Sequence, residues 1–232
     1  MKILFIDVKY IGEIKLNQDA IKELGKYKKI ALYTTTQFNH KIKGIIEQLN
    51  NVGIKVISSQ PERTSSKFQI LGCDVYQKNL KLKEQPGAFL YIGDGRFHPN
   101  ALLFSENNLD NQNPKPVLIY NPIENKLTTL NKSDVEKTLK RKKANFARFH
   151  ASESIGVLVT TKPGQSHPNY TKKLEKKYKN KKFHTFIADS ISFNEMENFP
   201  FIQCWVNTAC PRIALEDALN TDKALINAED VL

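Results

Sequence analysis

The sequence has 232 residues, with 35 lysines and arginines against 24 aspartates and glutamates, and a formal net charge of +11. Hydrophobic residues make up 40% and charged residues 25%, which is typical of a folded globular chain and excludes a disordered one. No stretch approaches the run of about 20 apolar residues that spans a bilayer. The N-terminal MKILFIDVKY is interrupted by Asp7 too early for a signal peptide. These features predict a cytoplasmic protein that does not insert into membranes.

The excess of positive charge predicts an anionic partner, such as RNA, a phosphate-rich ligand or an acidic protein surface. The charge is concentrated in two runs, one between Lys137 and Lys143 and one between Lys172 and Lys182. A solvated helix face would explain either run. A basic module that binds nucleic acid or phosphate is therefore one candidate function.

In the first half of the chain, apolar runs predict five strands, at residues 3–8, 29–35, 55–59, 88–93 and 117–120. Between them, Asn17 is predicted to cap a helix that ends near residue 28, and Asn39 to cap a helix that ends at Gly53. The strands are continuously apolar rather than alternating, which is typical of parallel sheets covered on both faces.

In the second half, a long helix is predicted at 133–150, followed by a strand at 155–160, a helix at 170–178 and strands at 183–188 and 201–207. TTTQ at 34–37 and TTKPGQ at 160–165 both follow a strand, which suggests a weak internal repeat. The prediction is an α/β fold with two similar parallel-sheet domains, 1–132 and 151–232, joined by a linking helix at 133–150.

Polar residues follow several strands, at the carboxyl ends where open α/β sheets bind ligands. GDGRFHP offers Arg96 as a planar fork for an anion and His98 as an acid, base or hydrogen-bond donor. TTKPGQ contributes Lys162 and Gln165, and TACPR contributes Arg212. GDGR lacks the third glycine of a dinucleotide-binding motif, so a plain tight loop is the alternative for this segment.

The three cysteines, Cys73, Cys204 and Cys210, form neither a disulfide framework nor a C-x-x-C pair. Alternation within FIQCWVN predicts that Cys204 faces the core together with Ile202 and Val206. Cys210 could be a small buried residue, as cysteines outside disulfides often are. Composition and spacing alone predict a two-domain α/β protein with an anion-friendly site, and do not name a reaction.

Six segments taken in order resemble the diphthamide synthase family, the archaeal-type 2-(3-amino-3-carboxypropyl)histidine synthases. They are TTTQFNHKIK, QILGCD, YIGDGRFHP, TTKPGQ, NFPFIQCWVN and NTACPRIALED. Each motif is weak alone, and the ordered set is specific. The resemblance implies three similar α/β domains around a central site, and a homodimer.

The resemblance also implies a chemistry. Each domain gives one cysteine to a 4Fe–4S cluster, whose open iron binds S-adenosylmethionine. The enzyme generates a 3-amino-3-carboxypropyl radical, which adds to a histidine of elongation factor 2. In this sequence Cys73 and Cys210 match the cluster ligands of the family's second and third domains. Polar residues of the converging loops are expected to bind S-adenosylmethionine, namely Arg96, His98, Lys162, Gln165 and Arg212.

The sequence departs from the family pattern because it starts where the second domain starts. Three explanations are open. A separate polypeptide could supply the first domain and the third cysteine, or the protein could be a shortened, non-catalytic partner of a complete synthase. Alternatively, Cys204 could supply the third ligand, although a residue inside a strand is badly placed to converge on a cluster.

Overall fold

The computed structural model describes residue 6, residues 8–107, residue 111 and residues 113–232. The chain divides into two compact units, Met1–Val135 and Glu136–Leu232. The strand predicted at residues 3–8 lies largely outside the described residues. No helix in the described ranges is both long enough and apolar enough to cross a membrane.

The first unit is a five-stranded sheet with helices around it. Its helices are α1 (Gln18–Leu24), α2 (Thr36–Asn39), α3 (Ile42–Asn51), α4 (Gln77–Leu80) and α5 (Phe97–Glu106). Its strands are β1 (Lys29–Thr34), β2 (Lys55–Ile57), β3 (Ala88–Ile92), β4 (Val117–Asn121) and β5 (Lys126–Leu130). The strand order is β2-β1-β3-β4-β5, in which the first four are parallel and β5 runs antiparallel to β4.

The first helices show how the sequence sets the element ends. The Asn17 side chain accepts a hydrogen bond from the Ala20 amide at 2.8 Å, so the predicted cap of α1 is confirmed. The predicted Asn39 cap is wrong, because Asn39 is the last residue of α2 and its amide donates to Ser66 Oγ at 2.9 Å. Helix α3 instead begins after Lys41.

The end of α3 is a Schellman motif. The Gly53 amide donates to the Asn50 carbonyl at 2.9 Å and the Ile54 amide to the Leu49 carbonyl at 3.0 Å. Gly53 has a φ of +80°, the left-handed conformation that glycine adopts without strain. The predicted helix end at Gly53 is therefore confirmed.

The second unit is a four-stranded, fully parallel sheet. Its helices are α6 (Glu136–Ala151), α7 (Asn169–Lys177), α8 (Arg212–Leu215) and α9 (Ala228–Val231). Its strands are β6 (Ser154–Thr160), β7 (Lys182–Ala188), β8 (Cys204–Asn207) and β9 (Leu225–Asn227), in the order β7-β6-β8-β9. Apolar side chains of β6 and β8 pack on both faces of this sheet, against Phe149 and Leu174 on one face and Met196 on the other.

The two sheets share a topology. In each, the second strand along the chain lies at the edge, followed by the first, the third and the fourth. The predicted α/β class with two similar parallel-sheet units is confirmed. The helix predicted at 133–150 is α6, which contacts β8 and β9 within the second unit. The equivalence of 1–132, 133–150 and 151–232 to family domains stays a prediction.

Two glycines, one inside α3 and one just beyond its end, test the position of this helix end, because a Cβ added at either would meet no atom within 4 Å. Gly44→Ala should raise the free energy of unfolding by about 0.5–1 kcal/mol, since Gly44 lies inside the helix. Gly53→Ala should lower it by about 1 kcal/mol, since alanine is strained in the left-handed conformation. Urea denaturation followed by circular dichroism measures both. A Gly53→Ala protein as stable as Gly44→Ala would contradict this helix end.

Candidate functional site

The candidate site of the first unit lies where β1 and β3 end side by side. Thr34 is the last residue of β1 and pairs with Ile92, the last residue of β3. The Thr34 hydroxyl donates to the Ile92 carbonyl at 2.7 Å. Because the strand order places β1 beside β3, the loops after these two strands open on the same edge of the sheet.

The segment that carries Cys73 is attached to this edge by its backbone. The Thr34 amide donates to the Phe68 carbonyl at 2.7 Å, and the Ile70 amide donates to the Thr34 carbonyl at 3.0 Å. The Gln69 side chain is nearly buried and donates to Thr36 Oγ1 at 2.8 Å. The QILGCD motif therefore extends the sheet by a short bridge at the carboxyl end of β1.

The turn at Cys73 is held by the residue after it. Asp74 is fully buried, and its Oδ2 accepts a hydrogen bond from the Leu71 amide at 2.8 Å. Burial raises the pKa of this carboxyl, and the hydrogen bond from Leu71 opposes the rise. A Cβ at Gly72 would collide with the Phe97 ring, so glycine lets the turn pack against the GDGRFHP loop. Cys73, the next residue after Gly72, is half-buried.

A cavity of about 450 Å³ opens beside this turn. Of the predicted substrate-binding residues, it is lined by His98. The polar side chains that join His98 in the wall were not predicted from the sequence; they are Thr35, Thr36, Gln37, Gln69 and Asp94. The sequence did contain a sign of these residues. Thr35, Thr36 and Gln37 directly follow β1, and Gln69 and Asp94 lie within motifs that carry the resemblance.

Arg96 lies at the start of α5 and points elsewhere. Its guanidinium is 3.2 Å from Asp134 Oδ1, its side chain is 62% exposed, and it does not line the cavity that contains His98. Gly95, with a φ of +67°, provides the turn that leads into this residue. Because the ion pair with Asp134 is exposed, it is weak, and the Arg96 guanidinium group remains available to bind a ligand.

In the second unit, Cys210 follows β8 in a loop fixed by two buried asparagines. Asn207 Nδ2 donates to the Cys210 carbonyl and to Asn227 Oδ1, each at 2.8 Å, while Asn207 Oδ1 accepts from the Ala209 amide at 3.1 Å. Asn227 Nδ2 donates to the Pro211 carbonyl at 3.0 Å. This network fixes the backbone on both sides of the half-buried Cys210. Asn227 was not predicted from the sequence, because the strand that carries it, β9, has only three residues.

Arg212, a predicted ligand-binding residue, is 4% exposed. Its guanidinium forms an ion pair with Glu216 one helical turn later, with Nε donating to Oε2 at 2.5 Å. The arginine thus stabilises α8, which begins two residues after Cys210. Its guanidinium group already has a carboxylate partner, Glu216, in this structure.

Lys162 and Gln165 form the turn that follows β6. The Gln165 amide donates to the Lys162 carbonyl at 3.1 Å, and Gly164 has a φ of +76°. Because β6 pairs with β8 in parallel, this turn and the Cys210 loop lie on the same edge of the second sheet. The Lys162 side chain is exposed and that of Gln165 is half-buried.

Cys204 differs from the other two cysteines. It is fully buried in the same core cluster as Val206, and burial raises the pKa of its thiol to about 12. The prediction that Ile202 shares this face is wrong, because Ile202 precedes β8 and packs in the cluster on the other face of the sheet. A thiol that resists deprotonation in the core is unsuited to bind a metal.

Cys73 and Cys210 fit the donor chemistry of an iron–sulfur cluster, since each is a thiol outside a disulfide, half-buried, in a loop at the carboxyl edge of a sheet. Within the described ranges no three histidine, cysteine, aspartate or glutamate side chains form a group that could hold a metal ion.

Comparison with known proteins gives a consistent result. The family described as putative diphthamide synthesis protein matches residues 1–231. The chain is 28% identical over 230 residues to a 2-(3-amino-3-carboxypropyl)histidine synthase of Pyrococcus horikoshii, covering 98% of this chain and 62% of that protein. It is 30% identical over 195 residues to subunit 1 of the synthase of Neurospora crassa, covering 82% of this chain and 40% of that protein.

A solved structure shares the fold. The crystal structure of Dph2 from Pyrococcus horikoshii with a 4Fe–4S cluster superposes with a TM-score of 0.72 at 26% identity, covering 92% of this chain and 59% of that one. The chain thus spans less than two-thirds of the length of these relatives. The match over residues 1–231 shows that the chain belongs to the diphthamide synthesis protein family.

Proposed function

We propose that this chain forms part of a 2-(3-amino-3-carboxypropyl)histidine synthase. The complete enzyme would transfer the 3-amino-3-carboxypropyl group of S-adenosylmethionine to a histidine of elongation factor 2, the first step of diphthamide formation, in the cytoplasm. One observation carries the proposal: two sheets of the same topology each hold a half-buried cysteine in a loop at the carboxyl edge. Family membership supplies the reaction.

In this proposal Cys73 and Cys210 bind a 4Fe–4S cluster, which when bound supplies an electron and an open iron site for S-adenosylmethionine. The protein's contribution is to orient the thiolates. Asp74 fixes the turn at Cys73, and the pair Asn207 and Asn227 fixes the backbone at Cys210. Such supporting hydrogen bonds orient metal ligands and restrict their motion.

The cavity beside Cys73 is the proposed site for part of S-adenosylmethionine. Its volume of about 450 Å³ is within the range of small-molecule sites. His98 and Gln69 offer hydrogen-bonding groups on its wall. Arg96, Lys162, Gln165 and Arg212 are proposed to complete the binding of the carboxylate and amine, with Arg212 contributing only if it leaves Glu216.

A third cluster ligand is proposed to come from polypeptide outside these 232 residues. The reason is the state of Cys204, whose thiol is fully buried in the core of the second sheet. A homodimer of the assembled enzyme is also part of the proposal. Elongation factor 2 is the proposed protein substrate, and its contact surface on this chain would be basic, given the net charge of +11.

A second candidate is a non-catalytic subunit that supports a complete synthase. The observation that favours it is Arg212, because its ion pair with Glu216 gives this residue a structural role beside Cys210. Both candidates keep the family fold, and iron binding separates them.

We expect Cys73→Ala and Cys210→Ala each to abolish retention of the cluster in the assembled enzyme. Cys204→Ala should keep most of it, because this side chain lies in the core and its substitution removes packing rather than a ligand. The measurement is iron and sulfide per protein after anaerobic reconstitution. Full iron content in either the Cys73→Ala or the Cys210→Ala protein would contradict the ligand assignment and favour the non-catalytic subunit.

We also expect Arg96→Ala to weaken S-adenosylmethionine binding by the assembled enzyme about tenfold, the effect of losing one charge-assisted hydrogen bond. Asp134→Ala is the matched control, because it removes the partner of Arg96 and leaves the guanidinium in place. The control should bind within about twofold of the unmodified protein, since an exposed ion pair contributes little. Calorimetry measures both, and equal losses of affinity in the two variants would contradict a role of Arg96 in binding S-adenosylmethionine.

A further inference from the structure

A second cavity lies at the opposite, amino edge of the second sheet. It has a volume of about 580 Å³ and is bounded by α6 and by the segments that lead into β8 and β9. Its polar lining consists of Arg141, Asn145, Arg148, Gln203, Asp222 and Lys223. Cys210 follows the carboxyl end of β8, so the length of the sheet separates this cavity from the candidate cluster ligand.

One face of α6 builds the wall of this cavity. Arg141, Asn145 and Arg148 are spaced at i, i+4 and i+7, which places them on the same side of a helix. Asn145 is buried and donates to the Leu225 carbonyl at 2.7 Å. Arg141 Nη2 donates to the carbonyls of Thr221 at 2.7 Å and Lys223 at 3.1 Å. These hydrogen bonds hold the wall to the loop before β9 and make the cavity a preformed feature.

The charge of this cavity is not balanced. Neither Arg141 nor Arg148 forms an ion pair with a carboxylate among the described residues, and Arg141 Nε is buried there without an acceptor. Lys223 is neutralised by Glu197 at 2.8 Å, and Asp222 supplies the one carboxylate of the lining. Two guanidinium groups therefore line a polar cavity whose lining contains a single carboxylate.

We propose that this cavity binds a phosphate group. Guanidinium groups match the geometry of phosphate oxygens, and two of them match a group that carries close to two negative charges near neutral pH. The phosphate could belong to a small phosphorylated molecule or to RNA, whose backbone phosphodiester carries one negative charge and still offers two non-bridging oxygens to a guanidinium group. The site is independent of the proposed cluster chemistry.

The test uses the full chain and the variant Arg148→Gln, which removes an exposed guanidinium and keeps hydrogen-bonding capacity. Lys143→Gln is the matched control, because it removes one charge from the opposite face of the same helix. Calorimetry with inorganic phosphate and fluorescence anisotropy with a short single-stranded oligoribonucleotide are the two arms. Circular dichroism checks that both variants are folded.

Binding of inorganic phosphate should weaken about tenfold in Arg148→Gln and change less than about twofold in Lys143→Gln. The same difference seen only with the oligoribonucleotide would also support the site and identify RNA as the source of the phosphate. Equal losses of affinity in both variants would mean that binding depends only on the overall positive charge, and would overturn the proposal. So would the absence of binding in both arms by the unmodified protein.

Discussion

The parallel pairing of the first and third strands of each sheet is the interaction on which the candidate site depends. In the first unit it joins Thr34 to Ile92, and in the second it joins Leu158 to Asn207, in both cases where a strand ends. Because the second strand lies on the outside of the first, loops after the first and third strands become neighbours. This strand order, repeated in both units, brings residues distant in sequence to one edge.

The sequence predicted the buried strands well because their apolar runs have a single physical explanation. Strands β1 and β3 are covered on both faces, and such strands are apolar throughout. Strand β5 was missed because KLTTL is an exposed edge strand with one fully buried residue, Leu130. The error at Asn39 has a different cause: asparagine favours several local hydrogen bonds, and here tertiary contact with the 66–67 segment prevailed over capping.

The candidate site was predicted in its motifs and only partly in its geometry. His98 lines the cavity beside Cys73, but Arg96 and Arg212 face Asp134 and Glu216 in this structure. Asp134 is 38 residues from Arg96, so no motif could have revealed that pair. Glu216 follows Arg212 by one helical turn within NTACPRIALED, so the sequence contained the spacing of that pair, but the helix α8 that brings the two side chains together was not predicted. Asn227 was not predicted for a similar reason, because it can support the backbone next to Cys210 only once β9 pairs with β8.

The central claim is that two cysteines of this chain serve one cluster and need a third from elsewhere. Its most direct test is the mass of elongation factor 2 after anaerobic incubation with this chain, S-adenosylmethionine and a reductant. The account predicts no added 3-amino-3-carboxypropyl group with the chain alone, and addition once a polypeptide carrying the third cysteine is present. Robust modification by the purified chain alone would contradict it and would make Cys204 the candidate third ligand.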